Sequence, residues 1–136
     1  MASAGWALQA ALHAALVANA PVTTLLQGDH IYDHVPRGRA YPYVTFGQTT
    51  ERDWSAGNDR GQEHIVTLHM WSQARGRSEA QAIMEAMRGG LHDQAIALAG
   101  HRLVNLRHEF SEVRRDADGE TFHGIVRLRA VTEPLG

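Results

Sequence analysis

Apolar residues recur along this chain in two rhythms. Leu8, Leu12 and Leu16 fall at every fourth position with alanines between them, the spacing of one helical face. The pattern predicts a helix over residues 3–19, stopped by Pro21. Residues 22–27 add one short turn, with Gly28 as its left-handed cap. The rhythm then changes. Ile31, Tyr32 and Val35 favour extended backbone, and Pro36 pushes the residue before it toward the β region. That predicts a short strand over 30–35. A second strand is expected over 43–50, with Val44 and Phe46 on one face, and a flexible glycine-bearing loop over 55–62. Residues 63–72 give the clearest alternation. Val66, Leu68 and Met70 face one way; Ile65, Thr67, His69 and Trp71 face the other. Neither side is strongly polar, so this strand is either central or meets another chain. Ser78 with Gln81 three residues on predicts a capping box. Ile83, Met87 and Leu91 make the stripe of the helix that follows, weakened by Gly89 and Gly90.

The last quarter predicts a hairpin. Val104, Leu106, His108 and Phe110 share one face of its first strand; Val126, Leu128 and Ala130 share one face of the second. A two-residue Asp118-Gly119 turn would set Phe110 against Arg127, apolar against polar. A three-residue loop sets Phe110 against Val126, His108 against Leu128 and Leu106 against Ala130, with Gly119 left-handed. The pattern favours the second register. The whole reads as an α+β fold: an antiparallel sheet of four to five strands with two main helices on one face.

Composition narrows the chemistry. A chain of 136 residues with 43% hydrophobic content suits one domain, residues 1–136, and one modest core. There is no cysteine, which excludes disulfides and thiolate metal sites. All 13 basic residues are arginine, so no lysine can cradle a phosphate or form a Schiff base. A net charge of −2 does not suit a basic nucleic-acid binder. The charge-free first 20 residues end in Ala18-Asn19-Ala20, but Gln9 and His13 interrupt the apolar run, and the start carries no positive charge. They are expected to be a helix of the mature fold rather than a secretory signal. No stretch approaches the ~20 apolar residues of a membrane span.

The candidate chemical motifs are weak. His30 and His34 could share a metal on a helix; on a strand they sit ~13 Å apart and cannot. Residues 116–119, Asp-Ala-Asp-Gly, hold part of a calcium-loop pattern but lack its remaining ligands. His108 on the core face suits a hydrogen-bonded structural histidine. No nucleophile has an evident base. The expectation is therefore no catalytic residue, no cofactor and no metal, with a small metal-dependent enzyme as a remote alternative. What remains is surface. The sheet face away from the helices carries Ile65, Thr67, His69, Trp71, Val131, Arg107, Arg127 and Arg129, an apolar and arginine mixture that suits a protein interface. Asn58, Asp59 and Arg60 sit in the loop best placed to reach a neighbour.

The runs EHIVTLHMWSQARGRSEAQAIMEAMRGGLHD and LAGHRLVNLRHEFSEVRRDADGETFHGIVRLRAVTEP resemble the tail-completion, or tail-terminator, proteins of long-tailed phages. Among these the chain is most similar to the version in gene transfer agents. IYDHVPRGRAYPYVTFG and the leading ALQAALHAAL helix match the same pattern, so the resemblance covers nearly the whole chain. It implies a virion protein that forms a ring, expected to be a hexamer, at the head-proximal end of the tail. Such a ring would contact the tail tube protein on one side and head-completion proteins on the other, with DNA passing through unread. Another head–tail connector subunit is the alternative.

Overall fold

The computed structural model describes residues 3–135. Helix α1 spans Ala4–Val17, α2 Ala20–Leu26 and α3 Ser78–Leu91. The strands are β1 (Ile31–Tyr32), β2 (Tyr43–Asp53), β3 (Gln62–Ser72), β4 (His101–Arg115) and β5 (Phe122–Pro134). They form one sheet in the order β1-β2-β3-β5-β4. Every pairing is antiparallel except that of β1 with β2. The fold is α+β. The predicted all-antiparallel sheet gains one parallel edge, and the two main helices gain a third, short one.

Periodicity places the core. Leu8, Leu12 and Leu16 of α1 and Ile83, Met87 and Leu91 of α3 are all fully buried. They join Val66, Leu68 and Met70 of β3 and Val126, Leu128 and Ala130 of β5 in one cluster. β3 lies between β2 and β5, so both of its edges are paired.

The helix ends differ from expectation in instructive ways. Ser3 caps α1, its hydroxyl accepting the Trp6 amide at 3.1 Å. Pro21 opens α2 rather than simply stopping α1, because Asn19 caps that helix and proline fits its first turn. The left-handed residue after α2 is Gln27 (φ 63°), one position before Gly28. The capping box at Ser78 does not form. Arg77 holds the cap position with no side-chain bond, and Glu79 instead accepts the Ser72 hydroxyl at 2.7 Å, tying the helix start to β3.

Bulges revise the hairpin. Leu106 faces Ala130 and His108 faces Leu128, as the three-residue loop predicts. A shift between His108 and Phe110 then sets Phe110 against Arg127. The turn end thus follows the register rejected from the sequence, with the Asp116 amide donating a hydrogen bond of 2.8 Å to the Thr121 carbonyl across a four-residue connection. One unpaired residue reverses the facing of all that follow. Phe110 and Val104, placed in the core by pattern, are exposed. The predicted strand over 30–35 shrinks to two residues. The 55–62 loop closes on a tight turn: Ala56 and Asp59 exchange two backbone hydrogen bonds of 2.9 Å around Gly57, whose φ is 61°.

Candidate assembly surfaces

Alternation along β3 and β5 sends every second side chain away from the helices. On that side Trp71 lies opposite His123, Thr67 opposite Arg127, Ile65 opposite Arg129, and Glu63 opposite Val131. The structure thus brings Ile65, Thr67, His69, Trp71, Arg127, Arg129 and Val131 onto one face. No helix covers it among the described residues, since the helical side chains cluster with the opposite face. Thr67 and Val131 are nonetheless buried beneath their longer neighbours. The reachable atoms belong to the aromatic, histidine and arginine side chains.

Two clusters organise the face. In the first, Trp71 stacks on His123 at 3.9 Å between ring centroids and 7° between planes. His69 Nδ1 lies 2.7 Å from His123 Nε2. Tyr43 adjoins Trp71 at 6.4 Å, and the Trp71 indole N–H points to Thr45 Oγ1 at 3.4 Å. Gly47 makes this possible: a Cβ there would overlap the His69 ring. Burial lowers the pKa of His69, with the Arg114 charge adding to it. Burial also lowers that of His123, followed by His69 itself.

In the second cluster Glu63 accepts Arg129 Nε at 2.5 Å and Arg52 Nε at 2.6 Å. The Arg129 hydrogen bond is the main cause holding the Glu63 carboxyl below its usual range. Both guanidinium groups also lie against Trp54, 5.1 and 5.2 Å from its ring centroid. Arg127 stacks on Phe110 at 5.1 Å. Arg107, directly opposite Arg129, turns to Asp93 at 3.6 Å.

Asn58, Asp59 and Arg60 stand apart from this face. They form the exposed tip of the β2–β3 hairpin. Residues 48–60 are exposed throughout, so the hairpin projects beyond the core as an arm. His123 is the residue that sequence reasoning missed. Its signal was present: carrying the β5 alternation back from Arg127 through Ile125 reaches it.

Chemically, these groups stack, pair and hydrogen-bond to one another. The imidazoles of His69 and His123 direct their facing nitrogens at each other, and His30 stacks on Tyr32 at 6.4 Å. Among the described residues no group of three or more histidine or acidic side chains is arranged to hold a metal ion. Among them, too, no helix is long and apolar enough to cross a membrane.

The family model for tail completion protein gp17 matches residues 10–133. The chain belongs to the tail completion protein gp17 family. One relative is the tail completion protein gp17 of Bacillus phage SPP1, 28% identical over 89 residues. That match covers 65% of this chain and 66% of the relative, just under two thirds of its length. Among solved structures, a chain in the virion of a native gene transfer agent particle superposes with a TM-score of 0.89 at 29% identity, covering 98% of this chain and 99% of that one. The structure of bacteriophage SPP1 gp17 superposes at 0.62 with 24% identity over 98% and 91% of the two chains, a likeness of fold. Family membership makes this a virion tail protein.

Proposed function

We propose that this chain is the terminator of a phage-like tail: six copies form a ring that closes the head-proximal end of the tail tube and joins it to the head-completion proteins. The observation that carries the reading is the likeness, across 98% of the chain, to a subunit of a gene transfer agent virion. The physical character of the molecule supports it. Stacked aromatic and arginine side chains on a helix-free sheet face, and a projecting arm, suit contact between proteins. The ring contributes shape rather than catalysis, and needs no cofactor. DNA passes through it without base-specific contact. Ile65, Thr67, His69, Trp71, Arg127, Arg129 and Val131 serve assembly through the sheet face, and Asn58, Asp59 and Arg60 through the arm.

The test is removal. Particles made without this chain should carry tails of abnormal length that do not join capsids. Supplying the protein in trans should restore both. Tails of normal length joined to capsids in its absence would overturn the proposal.

A further inference from the structure

Two stretches of sheet edge lie open at opposite corners of the molecule. β1 occupies the outer edge of β2 only at Val44 and Thr45. Residues 49–53 pair with β3 on one side and with no other strand of the described chain. β4 is the opposite edge. Its middle is capped by the segment after α3: Leu106 O accepts the Asp93 amide at 2.8 Å, and the His108 amide donates to His92 Nδ1 at 2.9 Å. Past the bulge, residues 110–115 pair with β5 and with no other strand among the described residues. Natural sheets usually cap or charge such edges. Here the cover stops short on both sides, leaving open runs of similar length.

We infer that these two runs pair between neighbouring copies, the 49–53 edge of one with the 111–115 edge of the next, joining their sheets across each ring contact. The inference rests on the ring reading above. Strand direction allows it. β2 and β5 both run antiparallel to β3, and β4 runs antiparallel to β5, so β4 is opposed to β2. A copy related by rotation therefore presents an antiparallel partner. It is a heterologous contact, the kind that closes into rings.

Side-chain charge selects the register. Thr50 and Arg52 point to the helix-free face, across from Ile65 and Glu63. Glu112 and Arg114 point to the same face, across from Ile125 and His123. Keeping those faces aligned allows Arg52 to lie opposite Glu112 and Thr50 opposite Arg114. Glu51 then falls opposite Val113 and diagonal to Arg115. No like charges meet directly. The 116–121 turn of the neighbour ends beside Gln48, just short of the edge that β1 fills.

The stagger also fits closure. Within one copy Glu51 is level with Leu106, through His64 and Ala130. Pairing it with Val113 of the next copy shifts neighbours by about six strand rises, or ~20 Å, once the bulged Glu109 is discounted. Across the ~19 Å width of β2, β3, β5 and β4, that shift tilts the strands by about 45° to the ring axis, the upper end of the range seen in closed barrels.

The chain contains no cysteine, so introduced thiols are unambiguous. Arg52→Cys with Glu112→Cys places one on each edge, and Thr50→Cys with Arg114→Cys is a second such pair. Oxidised rings of either double variant should run as covalent multimers on denaturing gels. Each single variant, and the control Arg52→Cys with Arg102→Cys, should run as monomer. In the unmodified protein, amides within 49–53 and 111–115 should exchange about tenfold or more slowly in rings than in free chains. Rings that form without either cross-link and without slower exchange would overturn the strand pairing while leaving the ring intact as a reading. If the unmodified chain forms no ring, alone or on tail tubes, both fall.

Discussion

His69 and His123, on adjacent strands, share one hydrogen bond of 2.7 Å between Nδ1 and Nε2. One nitrogen must donate and the other accept, so the pair is suited to neutral rings. Protonating both would set N–H against N–H beneath Trp71 and beside Arg114. Asp116, 3.9 Å from His123 Nδ1, and Glu112 oppose this only in part. His64, fully buried against Thr132, and His108 also have lowered pKa values, each through burial first. An imidazole in the unfolded chain titrates near ~6.5. Below that pH the unfolded chain binds more protons than the folded one. Stability is then full above ~6.5 and is lost as pH falls through the depressed folded values. Urea unfolding midpoints should be flat from pH 8 to 7 and clearly lower at pH 5. Replacing both His69 and His123 with Gln should shrink that difference. An unchanged midpoint at pH 5 would contradict the assignment of neutral rings.

The adjacent glycines of α3 should respond in opposite directions. Nothing lies within 4 Å of a Cβ built on Gly89, whereas one on Gly90 would overlap the Asn19 amide that caps α2. Gly89→Ala should stabilise the fold by ~0.5–1 kcal/mol through helix propensity alone. Gly90→Ala should destabilise it by ~1 kcal/mol or more, because Asn19 must give up its position. Thermal denaturation of the two variants checks this.

Leu12 and Trp6 sit on the same helix with opposite expectations. Leu12 is fully buried, while Trp6 is 56% exposed. Leu12→Ala should cost ~2–5 kcal/mol. Trp6→Ala should change stability by no more than ~0.5 kcal/mol. Chemical denaturation measures both.

Glu63 holds the base of the projecting arm through Arg52 and Arg129. Glu63→Gln removes the charge while keeping the shape. Backbone amides over residues 49–61 should then exchange several-fold faster, with those around Leu68 and Leu128 unchanged. In the native protein the same loosening should appear at acid pH. The depressed Glu63 carboxyl contributes above its unfolded pKa of ~4.3 and stops contributing as pH falls through its lower folded value.

The fold was legible wherever burial alone decides. The four-residue leucine spacing of α1, the Ile83 stripe of α3 and the alternation of β3 each transmit one face of the core into the sequence. The candidate sheet face followed from the same alternation. Bulges and caps were less legible because they depend on partners distant in the chain. Nothing local marks Glu109 as unpaired, so Phe110 was assigned to the wrong face. Ser78 carries a capping signal that loses to the bond between Glu79 and Ser72, a residue on β3. β1 is short because only Val44 and Thr45 receive it, a fact of β2 rather than of its own residues.

The two irregularities of β4 alter how substitutions along it would be felt. In a regular strand, tolerance and damage strike alternate positions like a steady beat. Here the beat slips once between Leu103 and Asn105 and again between His108 and Phe110. A full substitution scan of β4 should therefore show three short phases rather than one. Leu106 and Val113, an odd number of positions apart, would both be intolerant, a parity that an uninterrupted strand forbids.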